Sequence, residues 1–197
     1  MSIPHLKRTS VGAVRNPESD RAILEAARTL LEEKGYAAFS LSEVARRAHA
    51  SKPTLYRRWP NKAALIFELY QTGPSERSSA PLKGGLIEDM IAIVLGVWRL
   101  WRETPTGPAL RALIAEAQSE ASAIEALRQI YSPSVPKIAR ARIEHAIAIG
   151  ELVPDFDTDS TLILIMAFTW SQLLTNQIDD EAAVEPIMKL IFTRHLR

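Results

Sequence analysis

The chain has 197 residues, of which 47% are hydrophobic and 24% are charged, and it contains no cysteine. This composition is that of a globular protein with a packed core, and the lack of cysteine excludes disulfides, a thiol nucleophile and a cysteine-ligated zinc site. The net charge is only +1, but its distribution is uneven: residues 1–71 carry 12 Lys and Arg against 7 Asp and Glu, whereas residues 72–197 carry 12 against 16.

The first fifteen residues carry three basic side chains and lack the continuous apolar run of a signal peptide. We therefore expect residues 1–15 to form a flexible basic arm and the protein to stay in the cytoplasm. The longest apolar stretch, residues 162–174, is interrupted by polar side chains and falls short of the roughly 20 residues that a membrane span needs. It is typical of a buried helix.

Apolar residues recur at spacings of three and four along the chain, and alternating β-branched runs are missing, so the sequence predicts an all-α fold. The first helix has Asn16 as its N-cap and Pro17 at its first position, and it ends at Gly35. Its apolar stripe must pack on other helices. The stripe consists of Ile23, Leu24, Ala27, Leu30 and Leu31.

Two short helices follow and are joined by a tight turn. Ser40 and Glu43 have the spacing of a reciprocal capping box, which predicts a helix over 41–48. Ser51 then caps a second helix over 51–59, which Pro60 ends because a proline disfavours helical dihedrals in the residue before it. These are the dimensions of a helix-turn-helix, whose second helix enters the DNA major groove.

The second short helix has an inner and an outer face. Leu55 and Trp59 point into the core, which turns the opposite side outward. Of the outward side chains, Arg57 suits a bidentate pair with guanine and Thr54 suits a base edge. The whole outer set is Pro53, Thr54, Tyr56 and Arg57, with Lys52 and Arg58 at its flanks. The side chains that suit phosphates are Ser51, Lys52, Tyr56 and Lys62.

Between Arg46 and Lys62 the chain has six basic residues and no acidic one. Such a patch attracts the phosphates of a polyanion, but it is also typical of a solvated surface, and charge alone does not separate the two. Lys62 also begins the next helix, where free backbone N–H groups favour an anion.

Residues 51–65, SKPTLYRRWPNKAAL, resemble the recognition-helix signature of the TetR family, and the likeness extends over residues 16–70. The resemblance implies an N-terminal three-helix DNA-binding domain, a larger helical domain for ligand binding and dimerisation, and a palindromic double-stranded operator as partner. It also implies that Lys52, Thr54, Tyr56 and Lys62 contact DNA, with Ser42 near a phosphate. Family members usually have glycine where this chain has His49, so we expect a left-handed residue there, which histidine adopts more readily than most.

A helix over 62–71 and a linker over 73–81 are predicted next, dividing the chain into a DNA-binding domain (16–71) and a C-terminal domain (82–197). Helices are predicted in the second domain over 82–103, 108–118, 119–129, 135–149, 159–176 and 181–196.

The last two predicted helices are the expected homodimer interface, because the first of them is apolar on nearly all sides and needs partners on more than one face. The alternative is that both helices belong wholly to the core of one chain. The predicted interface residues are Leu162, Met166, Trp170, Leu173, Val184, Ile187, Met188, Ile191 and Phe192.

A pocket for a small hydrophobic ligand is expected in the same domain, although such stripes are also typical of ordinary core. Its candidate residues are Met90, Val94, Trp98, Trp101, Ile114, Met166 and Trp170.

The sequence has no glycine-rich phosphate loop, nucleophile elbow or metal-spaced histidines, so we expect no enzyme, no metal and no cofactor. The predicted function is transcriptional repression, relieved when a small molecule binds. An activator or a ligand-independent regulator of the same fold remains open, as does a helical interaction module that does not bind DNA.

Overall fold

We describe residues 17–77, 84–132 and 136–196 of the chain in a computed structural model; the predicted basic arm and the Asn16 cap lie outside them. Within these residues the backbone forms ten α-helices and no β-strand, which confirms the all-α prediction. The helices are α1 (Pro17–Lys34), α2 (Leu41–Arg47), α3 (Lys52–Arg58), α4 (Lys62–Arg77), α5 (Leu86–Glu103), α6 (Thr106–Ala117), α7 (Ala121–Ile130), α8 (Lys137–Ala148), α9 (Thr158–Leu174) and α10 (Val184–Phe192).

Helices α1–α3 form a small N-terminal unit, which we call the head. α1 packs on α2 and α4, and α2 packs on α3. The predicted stripe of α1 is buried except for the half-buried Leu24. Beyond α1 the chain turns at Gly35, whose φ of +67° is the left-handed conformation that commonly ends a helix.

The predicted linker over 73–81 is wrong in its first part, because α4 continues through Gly73 and Pro74 to Arg77. Glycine and proline weaken a helix interior, but packing of a helix against its neighbours overrides local propensity. α4 packs on α1, α5, α6 and α7 and thus connects the head to the C-terminal helices. Residues 78–81 lie outside the described part of the chain.

Helices α5–α10 form the C-terminal unit. The predicted last helix is shorter than expected, since residues Glu181–Ala183 and Thr193–His195 on either side of α10 are 3-10 turns. α10 and α8 both pack against α5, and α6 packs between α4, α5, α7 and α9. Aromatic rings pack together in the core of this unit. The ring centroid of Trp101 lies 5.4 Å from that of Trp170 and 6.3 Å from that of Tyr70, and the Tyr131 centroid lies 5.0 Å from that of Trp170.

Most of the predicted dimer-interface residues are core residues of the chain itself. A side chain that retains no accessible surface cannot contact a second copy, so this part of the prediction is wrong. Ile187 and Ile191 are partly buried. The fully or almost fully buried residues of the predicted set are Leu162, Met166, Trp170, Leu173, Val184, Met188 and Phe192.

The exposed apolar side chains of α9 and α10 are different ones: Ile163, Leu164, Leu174 and Leu190, each 47–69% exposed. They lie next to the predicted residues along the chain. The error arises because α9 is apolar all round, so the sequence pattern does not indicate which side faces the core.

None of the helices in the described residues is long and apolar enough to cross a membrane.

Candidate nucleic-acid interface

The turn between α2 and α3 sets the direction of the recognition helix. His49 has a φ of 51°, as expected for the position where the family has glycine. The backbone N–H of Ala50 donates to the carbonyl of Ala45 at 2.9 Å and closes the turn. Histidine therefore reproduces the left-handed turn that the motif requires.

Two serine caps begin the helices of the motif. The Ser40 hydroxyl accepts from the Glu43 N–H at 3.3 Å, and the Ser51 hydroxyl accepts from the Thr54 N–H at 3.2 Å. The reciprocal half of the predicted capping box is wrong, since the Glu43 carboxylate accepts hydrogen bonds from Arg46 and Arg47 instead of from the Ser40 N–H.

Helix α3 presents its predicted outer face to solvent. Leu55 and Trp59 are buried, and the Trp59 indole N–H donates to Glu68 at 2.8 Å, which fixes the inner side. On the outer side Tyr56 is 44% exposed. Pro53, Lys52, Ser51 and Arg57 are also exposed, and Thr54 and Ser42 are partly exposed.

Arg58, predicted at the flank of this face, is ion-paired behind it, and its role in DNA contact stays a prediction. Its guanidinium is held between α1 and α4, 2.9 Å from Asp20 and 2.7 Å from Glu68. It also lies 4.9 Å from the Trp59 ring centroid. The side chain thus joins α3 to the two helices behind it.

Arg46 and Arg47 are likewise paired within the head. Arg46 lies 2.7 Å from Glu43, and Arg47 bridges Glu43 at 3.1 Å and Glu33 at 2.7 Å. The hydrogen bonds from the two arginines lower the pKa of Glu43 to about 2, so this carboxylate stays charged at neutral pH.

Lys62 is placed at the N-terminus of α4 as predicted, but its ammonium group lies 2.7 Å from the Glu116 carboxylate of α6. Four of the six cations between residues 46 and 62 are therefore ion-paired. Lys52 and Arg57 make no ion pair with any residue that the structure describes, and both belong to the outer face of α3. The cationic surface available to a polyanion is much smaller than the sequence patch, and it lies where base and phosphate contacts were predicted.

The predicted ligand-pocket residues lie inside the C-terminal unit. Ile114 is partly buried and the other six are buried. The Trp101 ring centroid lies 5.4 Å from that of Trp170, and the Trp98 centroid lies 5.7 Å from that of Phe168. The indole N–H groups of Trp98 and Trp101 are buried without a hydrogen-bond partner in the described structure. Buried donors are normally satisfied, so these two are available to an acceptor that enters the cluster.

A cavity of about 570 Å³ lies elsewhere, between the start of α5 and helix α8, and no predicted pocket residue lines it. Its polar wall is a buried ion cluster in which Arg142 lies 2.6 Å from Asp89 and 2.8 Å from Glu151. Sequence reasoning missed this cluster, because its members are 53 and 9 residues apart and no local pattern connects them.

Glu116, the partner of Lys62, was also missed. Glu116 is one of many acidic residues in the C-terminal half, and it reaches Lys62 only because α6 packs on α4. The exposed apolar residues of α9 were missed because that helix is apolar all round. Leu190 was missed because the apolar stripe of α10, which packs into the core, was assigned to the interface.

Comparison with known proteins gives two family matches. Residues 23–69 match the family described as bacterial regulatory proteins, tetR family, and residues 80–190 match the tetracyclin repressor-like C-terminal domain.

Single relatives agree with these matches. The HTH-type transcriptional regulator YdeS of Bacillus subtilis is 28% identical over 90% of both chains. The DNA-binding transcriptional repressor TetR of Mycobacteroides abscessus is 31% identical over 73% of this chain and 75% of its own. The crystal structure of the TetR family transcription regulator SCO0332 superposes with a TM-score of 0.74 at 30% identity, covering 87% of this chain and 95% of that one.

Proposed function

Since this chain belongs to the TetR family of helix-turn-helix transcriptional regulators, we propose that it binds a palindromic operator as a homodimer, represses transcription there, and is released by a small apolar ligand. The observation that carries the proposal is the outer face of α3, where Lys52 and Arg57 are exposed cations without an ion-pair partner among the described residues. Thr54 and Tyr56 lie between them in the sequence and supply hydroxyl groups.

The face is suited to both kinds of DNA contact. Arg57 has the planar donor pair that matches guanine, and Thr54 has a hydroxyl and a methyl group for a base edge. Lys52 and Ser51 lie at the start of α3, where a phosphate is also favoured by the helix dipole. Arg58 contributes indirectly, because it anchors α3 to α1 and α4.

Selection of bound duplexes from a random pool tests this proposal. A repressor of two identical subunits should enrich a palindrome whose half-sites are about 34 Å apart or a multiple of that distance. If no sequence is enriched and affinity does not fall steeply with salt, the chain is a helical interaction module without DNA function.

The proposed dimer interface is formed by exposed apolar side chains of two helices, Ile163, Leu164 and Leu174 on α9 and Leu190 on α10. Ile163, Leu164 and Leu174 follow helical spacing and share one side of α9 with the small exposed Ala167. Apolar side chains grouped in this way are typical of a subunit interface.

Light scattering tests the interface. The wild type should be a dimer at micromolar concentration, and Leu164→Asp combined with Leu190→Asp should give a folded monomer. A control substitution outside the surface, Ile149→Asp, adds one such charge at a 61% exposed position and should leave the dimer intact. A monomeric wild type, or a double variant that stays dimeric, would contradict the assignment.

The proposed ligand site is the central aromatic cluster, and the ligand is a mainly apolar molecule with at least one hydrogen-bond acceptor. The unsatisfied indole N–H groups of Trp98 and Trp101 support this chemistry. A thermal-shift screen of apolar carbonyl compounds tests it, with tryptophan fluorescence as a second readout. Replacing Trp101 by Phe should weaken binding of a hit; a hit whose affinity is unaffected by this change and by Trp98→Phe binds elsewhere.

A further inference from the structure

Three side chains connect the head to the C-terminal unit at the start of α4. Lys62 lies 2.7 Å from Glu116 of α6, and the Tyr36 hydroxyl, just after α1, donates to the same carboxylate oxygen at 2.9 Å. The Lys62 ammonium group also lies 4.5 Å from the centroid of the Tyr36 ring. The Glu116 carboxylate thus binds two groups from outside the C-terminal unit, one just after α1 and one at the start of α4.

Glu116 is charged in this arrangement. Its partial burial raises its pKa, but the hydrogen bonds from Lys62 and Tyr36 outweigh burial and hold the pKa below its ordinary value. Burial and the bond to Glu116 raise the pKa of Tyr36, so that the phenol remains a neutral donor. At neutral pH the contact is a full ion pair supported by a neutral hydrogen bond.

This ion pair occupies the lysine that the family resemblance assigns to the DNA backbone. A phosphate at the N-terminus of α4 would need the same ammonium group, and the Glu116 carboxylate would lie close to it with the same sign of charge. Both effects oppose DNA binding while the pair is formed.

We propose that Glu116 competes with the operator phosphate for Lys62, so that DNA binding requires the lysine to leave α6. The inference rests on the proposed function, since it needs a DNA-binding head. It assigns to a residue of the C-terminal unit a direct effect on operator affinity.

The position of Glu116 also links the competition to the rest of the C-terminal unit. Helix α6 packs on α5 and α9, which carry the aromatic cluster. A ligand that moves α6 towards the head strengthens the Lys62–Glu116 pair and weakens DNA binding, and DNA weakens that ligand's binding by the same factor.

Glu116→Gln tests the competition, because glutamine keeps the size of the side chain and an acceptor for Tyr36 but loses the charge. We expect it to bind the selected duplex about three- to tenfold more tightly than the wild type, as measured by fluorescence anisotropy at fixed salt. The control is Glu125→Gln, which changes the net charge equally but removes a pair with Arg128 within α7.

The gain must also depend on Lys62. In a Lys62→Ala background, Glu116→Gln should raise affinity by a much smaller factor, because only the repulsion between the Glu116 carboxylate and the phosphate is then relieved. If Glu116→Gln does not fold, Glu116→Asp should raise affinity by a smaller factor, since it shortens the side chain by one methylene but keeps the charge.

The outcomes separate the two proposals. If the wild type shows no salt-dependent binding, the proposed function fails and the competition fails with it. If the wild type binds DNA but Glu116→Gln is no tighter than Glu125→Gln, or if the gain persists in full without Lys62, the competition alone is overturned.

Discussion

The exposed cations on the outer face of α3 and the ion-paired cations around it are the same kinds of side chain, but they differ in what surrounds them. Lys52 and Arg57 project into solvent, whereas Arg58 is held by Asp20 and Glu68. All three belong to one seven-residue helix. The difference shows that a basic run in a sequence gives an unpaired cationic surface only where the fold supplies no carboxylate to neutralise it.

The partners of the paired cations come from four different helices. Glu33 is on α1, Glu43 on α2, Glu68 on α4 and Glu116 on α6. Except for the pairs to Glu43, which lie within α2, these pairs join two helices, and the unpaired cations remain available to a ligand of opposite charge. Each of the following variants tests this division of roles.

Arg57→Ala should have the largest effect on DNA binding. Loss of a bidentate base contact should weaken binding of the selected duplex by about 1–3 kcal/mol and relax its preference at one position of each half-site. Anisotropy titrations with the consensus and with duplexes changed at single positions measure both effects. Arg46→Ala removes an equally exposed cation that is paired with Glu43, and it should change affinity by less than about twofold.

Arg58→Ala should instead affect stability. It leaves the Asp20 and Glu68 carboxylates without their shared partner, so the free energy of unfolding should fall by about 1–2 kcal/mol. Chemical denaturation measures the loss. The selected sequence preference should be retained in the folded fraction, and a variant that is fully stable but has lost sequence preference would assign Arg58 to the DNA contact after all.

Lys52→Ala should weaken DNA binding uniformly. Removing one phosphate contact per subunit should lower affinity for specific and random duplexes by the same factor and reduce the slope of log affinity against log salt by about 1 per subunit. Titration at four salt concentrations provides the slope. An unchanged slope would show that Lys52 has no phosphate partner.

His49→Gly should have the smallest effect. The left-handed conformation costs an L-residue about 1–2 kcal/mol, and glycine avoids this cost. Glycine also makes the unfolded chain more flexible, which lowers stability, so the free energy of unfolding should rise by only about 0.5 kcal/mol. Denaturation curves detect it, with His49→Val as the control that should be destabilised. DNA affinity should not change, because the direction of α3 is the same in both variants.

The head could be predicted well from the sequence because its signals are local. Serine caps, the proline after Trp59 and the spacing of Leu55 and Trp59 each act within a few residues, and together they place the outer face of α3. The left-handed turn at His49 was expected from the family resemblance instead, because family members usually have glycine there.

Local signals could not predict which carboxylates pair with the cations, or which side of each C-terminal helix faces the core. Glu116 meets Lys62 only because α6 packs on α4. On α9 the buried Leu162 and the exposed Ile163 are adjacent and equally apolar, so only tertiary packing distinguishes a core residue from a surface residue.

A crystal structure of the protein bound to its selected duplex tests the central claim most directly. We expect α3 in the major groove, with Thr54, Tyr56 and Arg57 facing the bases, Lys52 at a phosphate, and Arg58 still held between Asp20 and Glu68. A complex in which the outer face of α3 touches no nucleotide, while another surface of the dimer holds the DNA, would contradict the account.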